Sequence, residues 1–363
     1  FDGFALDEYG NKFVARSVQE GPHFEFRGQW YSPDFARCFA EETGGSLENT
    51  LFETRYAPAD SPEIRIRAIN HYMDVMRSGA LRVENSVMQE AKKIFGNDIF
   101  TGIHDTYHNS LVNDEIWANG IAWWKVPREY GQTDEKTSLP VQMGVAITHF
   151  KNAMYNQYYD KVLAPVPVKA LTDLRYAVRT HYHAMHDKRP NRFDLAMPEA
   201  VAIINKVENC ARLLNRFNPS LPDIKLLVVF GMGALSNWYP DYGSRGTYDI
   251  NEKLNIEEKA KAIWNAGYMN ALVPGDFIDN GQIKVQSDGR VSLHGHVFDA
   301  VVYLYPQYAR ATTLQFLEKL ETAGGKLMLV GNATHDFDAR DVSKQFAAIA
   351  KKATVNGFDI KAL

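Results

Sequence analysis

Two adjacent carboxylates stand near the start of the chain, directly after a short apolar run. In FDGFALDEYG, the segment FDGFAL leads into Asp7 and Glu8 and then Gly10. An apolar run that ends in acids and a glycine predicts a buried strand with a carboxylate at its C-terminal end. A carboxylic acid in a partly apolar place can hold its proton near neutral pH and transfer it to a leaving group. Glu8 is therefore a candidate general acid/base, and the alternative is an acid on a surface loop.

Polar side chains follow later apolar runs in the same manner. We predict strands over DIFTGIHDTYHN, ANGIAWWKVPREYGQTDE and KNAMYNQYYDK. We predict helices over SPDFARCFAEETGG, SPEIRIRAINHYMDVMRSGALRVENSVMQEAKKIFGN, PVKALTDLRYAVRTHYHAM and MPEAVAIINKVENCARLLNRF, while LPVQMGVAITHF is helix-like but short. Strands alternating with helices, with polar residues after each strand, are typical of a (β/α) barrel and its active-site face. The polar candidates at these strand ends and in HYHAMHD include His104, Asp105, Glu129, Asp160, His181, His183 and Asp187.

The pattern changes after NPSLPD, a turn-rich segment. IKLLVVFG is a continuous apolar run of the kind found in buried parallel strands. NIEEKAKAIWNAG, FDAVVYLYP, TTLQFLEKLETAGG and KLMLVGN continue an alternation that predicts a doubly wound sheet. FGMGALS lacks the third glycine of a dinucleotide-binding fingerprint, and we interpret it as a strand-to-helix turn. We therefore predict a barrel domain over residues 1–218 and a doubly wound domain over residues 223–363.

Composition and charge exclude several classes of function. Of the 363 residues, 45% are hydrophobic and 23% are charged, as in an ordinary globular protein. A net charge of −4 gives no electrostatic footprint for nucleic acid, and no apolar run is long enough to predict a membrane span. Cys38 and Cys210 lie in different predicted helices, so we expect neither a disulfide nor a four-thiolate zinc site.

Several segments together resemble a known family. FDGFALDEYG looks like the acid/base strand of glycoside hydrolase family 42, the clan A β-galactosidases, and FARCFAEETGGSLENTLFET resembles the helix and Gly-Ser-Leu turn of that family. LLVVFGMGALSNW through KLMLVGN is similar to its trimerisation domain, which has a flavodoxin-like or glutamine-amidotransferase-like fold. The resemblance covers the whole chain in order. It implies an α/β protein with the C-terminal half of a (β/α)8 TIM barrel, from the end of strand four onward, followed by that doubly wound domain.

The resemblance assigns roles to three residues. It implies that Glu8 is the general acid/base and that Asp7 stands where the family has an asparagine that contacts the sugar 2-hydroxyl. An aspartate can accept that hydrogen bond but, when ionised, cannot donate one. Asn156 stands where the family has its glutamate nucleophile. Because an amide cannot attack as a carboxylate does, the second catalytic carboxylate must come from elsewhere in the chain.

The second carboxylate is expected on another strand. A retaining glycosidase needs it about 5 Å from the first, and an inverting one roughly 6.5–9.5 Å away. We favour Glu129, which follows a pair of tryptophans, and then Asp105. An ion pair of Glu129 with Arg128 or Lys125 is the alternative interpretation.

Aromatic and histidine side chains supply the candidate sugar contacts. A tryptophan can stack on a pyranose face or fill the barrel wall, and a histidine can hydrogen-bond a sugar hydroxyl or play a structural part. The His-x-His spacing also permits a metal site, but no His-Glu-x-x-His motif is present, and we expect neither metal nor cofactor. Besides Asp7, the predicted substrate-binding residues are His104, Trp123, Trp124, Asn156, His181 and His183.

The sequence thus predicts a glycoside hydrolase that acts on a β-linked glycoside of an oligo- or polysaccharide. Two alternatives remain open: a catalytically silent carbohydrate-binding relative, and a metal-dependent hydrolase built on the histidines. The resemblance implies a homo-oligomer, a trimer in that family. A core strand at Phe1 predicts an upstream segment with strands one to four of the barrel, and with it any localisation signal.

Overall fold

The computed structural model describes eleven stretches of the chain. The predicted strand around Trp123 lies outside the described residues. The described residues are 3–6, 31–97, 100–103, 139–148, 154–157, 178–182, 197–217, 220–237, 253–351, 353–356 and 358–359.

Three helices, α1 (Pro33–Thr43), α2 (Leu47–Tyr56) and α3 (Pro62–Phe95), form the first packed unit. α1 begins where the Ser32 hydroxyl accepts a hydrogen bond from the backbone N–H of Phe35, and it ends at Gly44 in the left-handed conformation. The predicted bounds of α1 and α3 are confirmed. A small apolar core joins the three helices and consists of Phe39, Leu47, Ile69, Tyr72, Met73, Val75 and Met76.

Two pairs of short parallel strands follow from separate parts of the chain. β1 (Gly3–Leu6) pairs with β2 (Phe100–Ile103), and β3 (Met154–Gln157) pairs with β4 (Val178–Tyr182). The prediction of a helix across PVKALTDLRYAVRTHYHAM is wrong over its last part, since β4 lies there. β4 has the sequence VRTHY, in which β-branched and aromatic residues alternate with polar ones, and this pattern favours a strand.

The C-terminal part contains a parallel five-stranded sheet. Its strands are β5 (Leu226–Phe230), β6 (Asn270–Pro274), β10 (Ala300–Leu304), β11 (Lys326–Val330) and β12 (Thr354–Asn356). Their spatial order is β12-β11-β10-β5-β6, so the chain steps outward from β5 to β6 and then returns to the other side of β5. This is the flavodoxin-like strand order, with its switch point between β5 and β10. The parallel sheet and its connecting helices agree with the predicted alternation of strands and helices.

Helices and a small antiparallel sheet connect these strands. The sheet was not predicted; its strands β7 (Ile283–Val285), β8 (Val291–Leu293) and β9 (His296–Phe298) form a meander. Strands of three residues give too little alternation to be recognised in the sequence. The connecting helices are α6 (Met232–Ser236), α7 (Ile256–Asn265), α8 (Asp276–Asp279), α9 (Ala311–Thr322) and α10 (Ser343–Ala350).

The FGMGALS segment is a strand-to-helix turn, as predicted, because β5 ends at Phe230 and α6 follows. A Cβ at Gly231 would lie 1.9 Å from the carbonyl oxygen of Tyr305, and one at Gly233 would lie 2.3 Å from that of Tyr308. The two glycines therefore let the segment after β10 approach the turn after β5.

Helix α4 (Leu139–Thr148) precedes the C-terminal part in sequence but packs into its core. Val141, Met143, Val145, Ala146 and Ile147 are buried together with β5 and β6. A helix with so few polar residues has no face suited to solvent, so burial on several sides is expected.

Helix α5 (Pro198–Phe217) has the predicted bounds and leads into the C-terminal part. Cys38 and Cys210 are free thiols, as predicted. Among the helices that the structure describes, none has the length and apolar composition needed to cross a membrane.

Candidate active site and a second polar region

The strand pair β1–β2 brings two predicted site segments to one edge. The two strands run parallel in register, with Leu6 opposite Ile103. Asp7 and Glu8 directly follow Leu6 in the sequence, and His104 and Asp105 directly follow Ile103. These four residues lie outside the described residues, but the strand ends that carry them are neighbours.

The pair β3–β4 brings two other predicted residues together at the backbone. Asn156 of β3 is the register partner of His181 of β4. Both residues are predicted to bind substrate, and each belongs to a parallel strand, as the barrel interpretation requires. The remaining predicted site residues lie outside the described part of the chain: Trp123, Trp124, Glu129 and His183.

A second polar region lies where α3 meets the carboxyl edge of the five-stranded sheet. We call this region the seam; its α3 residues lie between Ile66 and Arg77, and the residues facing them are Asn237, Asp276, Arg310, Phe337 and Asp338. Asn237 follows β5 and α6, Asp276 follows β6, Arg310 follows β10, and Phe337 and Asp338 follow β11. The seam therefore collects the C-terminal ends of four of the five strands. In doubly wound folds this edge is the usual place for a ligand.

Two arginine–aspartate ion pairs cross the seam within the described part of the chain. The Arg77 guanidinium lies 2.5 Å from the Asp276 carboxylate, and the Arg310 guanidinium lies 2.8 Å from the Asp74 carboxylate. The Arg77 side chain is only 7% exposed, whereas that of Asp276 is 37% exposed. The Arg310 guanidinium also lies 3.8 Å from the centre of the Phe337 ring, a cation–π contact.

Hydrogen bonds between amide and carbonyl groups also join α3 to the residues that face it. The Asn70 amide donates to the carbonyl of Phe337 at 2.8 Å. The Asn237 amide donates to the Asn70 side-chain oxygen and to the carbonyl of Ile66, each at 2.9 Å. His71 stacks on Phe337 with 5.4 Å between ring centres. Since Asn70 is buried, these bonds satisfy polar atoms that water does not reach.

A small cleft lies within the seam itself, since the charged residues of both ion pairs line it. Asp279 lines it and accepts hydrogen bonds from the hydroxyls of Thr312 and Thr313 at 2.5 and 2.8 Å. Burial raises the pKa of Asp279, with a smaller contribution of the same sign from nearby Asp276. Burial likewise raises the pKa of Tyr303, which also lines the cleft. Ser236 lines it too, and its hydroxyl is buried with no hydrogen-bond partner among the described residues.

No cluster of three or more histidine, cysteine or acidic side chains is placed to hold a metal ion within the described stretches. The acidic residues of the cleft are instead engaged by arginines and by threonine hydroxyls. Sequence reasoning missed the seam, because its residues come from five segments between residues 66 and 338. The one local signal is PGD after β6, where an acid follows a strand end.

Two solved structures are similar to this chain in fold. A rhamnosidase from Novosphingobium sp. PP1Y matches with a TM-score of 0.53 and 13% identity, over 92% of this chain and 34% of that chain. A β-galactosidase from the Antarctic haloarchaeon Halorubrum lacusprofundi matches with a TM-score of 0.54 and 12% identity, over 93% of this chain and 54% of that chain. The chain thus spans about a third and about half of the two solved structures.

At this level of identity the similarity concerns the fold. No protein-family model matches the chain, and no curated protein matches it. The chain shares an α/β fold with these two glycosidases, and this agrees with the resemblance to clan A β-galactosidases in its sequence.

Proposed function

We propose that the chain belongs to a glycoside hydrolase acting on a β-linked glycoside, with Glu8 as the general acid/base. The observation that carries the proposal is the parallel register of β1 and β2. In this register the end of β1, which precedes Glu8 in the sequence, lies beside the end of β2, which precedes His104 and Asp105. A glycosidase needs two carboxyl groups, about 5 Å apart in a retaining enzyme and roughly 6.5–9.5 Å apart in an inverting one. The shared fold with two glycosidases supports the same class.

The register bears on which residue is the second carboxylate. Glu8 and Asp105 each stand two residues beyond the paired residues Leu6 and Ile103. Neighbouring strands lie about 4.8 Å apart, close to the carboxyl separation of retaining glycosidases. This equivalence favours Asp105, while the sequence alone favours Glu129, and both remain candidates.

Hydrolysis of two substrates tests the proposal. Glu8→Gln keeps the side-chain volume but removes the proton, so turnover of an alkyl β-glycoside should fall by about 10²–10⁴-fold. Turnover of an activated aryl β-glycoside should fall much less, because its leaving group needs little protonation. Asp105→Asn and Glu129→Gln are compared on both substrates, and the second carboxylate is the one whose loss abolishes both activities. Equal effects of Glu8→Gln on the two substrates would contradict its role as proton donor.

A second candidate function is carbohydrate binding without turnover. The observation that favours it is Asn156, an amide where the related family has its nucleophile. This alternative would be supported if calorimetric titration showed that the protein binds a β-galactoside and an activity assay showed that it does not hydrolyse it. Asn156→Ala would then weaken the binding measured in the same titration.

We also propose the organisation that the resemblance implies. Residues 1–218 would form the C-terminal half of a TIM barrel and residues 223–363 a trimerisation-like domain, in a homotrimer. An upstream segment would supply the first four barrel strands. Light scattering on the purified protein tests the trimer, and a monomer at micromolar concentration would contradict it.

A further inference from the structure

The seam occupies the edge of the C-terminal sheet at which a doubly wound fold binds its ligand. α3 lies across the ends of β5, β6, β10 and β11, and its side chains contact a residue after each of these strands. The contacts recur along α3 at Ile66, Asn70, Asp74 and Arg77, a spacing of three to four residues that marks one face of a helix. The C-terminal sheet therefore holds a helix where related folds hold a small molecule.

The ion pair of Arg77 with Asp276 is the most buried part of this contact. Arg77 is nearly inaccessible to solvent, and a buried charge is tolerated only when it is paired. Its partner Asp276 is the first residue of α8 and stands two residues after the end of β6. The ion pair therefore ties α3 to the turn after β6.

α3 leads from the seam to the proposed catalytic strands. It ends at Phe95, and β2 begins five residues later at Phe100. β2 is the strand that pairs with β1, and the residue pairs His104-Asp105 and Asp7-Glu8 follow these two strands. From Arg77 to the end of the helix is about 27 Å at 1.5 Å per residue. A continuous helix of this length transmits the position of its anchored end to the segment that follows it.

We infer that Arg77 is a positioning residue: through its ion pair with Asp276, the C-terminal sheet sets the position of α3 and hence of β2 beside the acid/base strand. The inference rests on the proposed glycosidase function. The C-terminal sheet then contributes to the active site without touching the substrate. Asp74 and Arg310 provide a second, more exposed anchor on the same helix face.

The substitution Arg77→Met tests the inference because it keeps much of the buried volume and removes the charge. Asp276, being partly exposed, can then be solvated, so the fold should persist. The matched control is Arg82→Met: Arg82 lies on the same helix and pairs with Glu42 of α1 at 2.9 Å, within the first packed unit. Asp276→Asn removes the ion pair from the other side, while its amide oxygen can still accept a hydrogen bond from the buried Arg77 guanidinium, and it serves as the second variant if Arg77→Met does not fold.

Two measurements are made on each variant. Hydrogen exchange of the peptide that contains Phe100–Ile103 should be faster in Arg77→Met than in the wild type, and unchanged in Arg82→Met. Aryl β-glycoside hydrolysis should lose about 10–100-fold in kcat with little change in KM, since misplacement of a catalytic group by about 1 Å costs this much. Arg77→Lys, which keeps a cation, should recover part of both effects.

The outcomes separate this inference from the proposed function. If the wild type hydrolyses no glycoside but Arg77→Met still accelerates exchange in β2, the positioning role stands and the glycosidase proposal fails. If the wild type is active and Arg77→Met and Asp276→Asn match Arg82→Met in both measurements, the positioning role is overturned. A loss of kcat without faster exchange in β2 would also overturn it, because the effect would then not pass through that strand.

Discussion

Two buried hydroxyl groups that line the cleft differ in their hydrogen bonding. Thr313 is buried and donates its hydroxyl to the Asp279 carboxylate at 2.8 Å. Ser236 is equally inaccessible at 4% exposure, yet its hydroxyl has no hydrogen-bond partner among the described residues. A buried hydroxyl without a partner costs stability, whereas one bonded to a carboxylate contributes to it. The two residues should therefore respond in opposite ways to loss of the hydroxyl.

Ser236→Ala should leave the free energy of unfolding unchanged or raise it by up to about 1 kcal/mol, because it removes a desolvated and unbonded group. Thr313→Val, of nearly the same shape as threonine, should lower it by about 1–2 kcal/mol, because it removes a donor from a buried carboxylate. Urea unfolding of both variants measures the difference. A larger loss for Ser236→Ala than for Thr313→Val would show that the Ser236 hydroxyl has a partner.

Asp279 gives the stability of the protein a pH dependence of definite sign. Burial raises the pKa of Asp279 in the folded protein above the unfolded value of 3.8. Between these two pKa values the folded state binds more protons than the unfolded state, so this residue makes stability fall as pH rises. At neutral pH the buried charge remains as a cost of folding.

Asp279→Asn should remove this cost, because the amide oxygen can still accept from both threonine hydroxyls. Relative to the wild type, the variant should be most stable near pH 7, and its advantage should shrink as pH falls toward 4. Urea unfolding across this pH range measures the difference. Asp288→Asn, at an exposed residue whose pKa is lowered by hydrogen bonds that Arg290 donates, should show no such trend above pH 4, because Asp288 titrates below the unfolded value of 3.8. An advantage of Asp279→Asn that grows toward low pH would contradict the assignment.

At the scale of elements, two helices each contain a glycine, but only one of these glycines is required by close packing. In α4, a Cβ at Gly144 would lie 2.2 Å from the carbonyl oxygen of Leu272 in β6. In α3, the nearest atom to a Cβ at Gly79 is the Arg82 guanidinium at 3.7 Å, an ordinary contact. Gly144 is therefore needed for close packing of a helix on a strand, while Gly79 is not needed for packing.

Gly79→Ala should raise the free energy of unfolding by about 0.5–1 kcal/mol, the usual gain of alanine over glycine inside a helix. Gly144→Ala should lower it by about 1–3 kcal/mol, because the added methyl group meets backbone that cannot move aside freely. Thermal or urea unfolding of the two variants measures the contrast. Stabilisation by Gly144→Ala would mean that α4 does not lie against β6.

At the scale of the whole molecule, the hydrophobic core around the five-stranded sheet includes residues from before the predicted domain boundary at residues 218–223. Helix α4 belongs in sequence to residues 1–218, but its buried residues pack with those of β5 and β6. The seam ties α3 to the same sheet. A C-terminal part cut at residue 220 would lose both helices and leave apolar surface open to water.

The fragment 220–363 should therefore unfold at a lower urea concentration than the same sheet in the whole chain, and it should bind a hydrophobic dye. A synthetic peptide of residues 137–150, added in trans, should raise the unfolding midpoint by mass action. The same peptide with Gly144→Ala should have a smaller effect or none. A fragment as stable as the whole chain, and indifferent to the peptide, would contradict the role of α4 in this core.

Local patterns in the sequence determined a large part of the fold. Ser32 followed by proline, and the glycine pair after α1, predicted the bounds of that helix because capping depends on neighbouring residues only. Continuous apolar runs such as LLVVF predicted the buried parallel strands, and FGMGALS was interpreted correctly as a turn. Glu8 and its possible partners were chosen in the same way, from acids that follow apolar runs.

Only the tertiary structure decided which distant segments meet. It placed Leu6 opposite Ile103 and Asn156 opposite His181, across separations that the sequence does not encode locally. It also brought Arg77 to Asp276, and it placed α4 in a core that begins some eighty residues later. β4 was predicted as part of a helix because a five-residue stretch is compatible with the apolar spacing of a helix and with that of a strand. Pairing with β3 decides between the two. Secondary structure follows from neighbours in the chain, whereas the seam and the strand register follow from packing that minimises exposed apolar area and unpaired charge over the whole molecule.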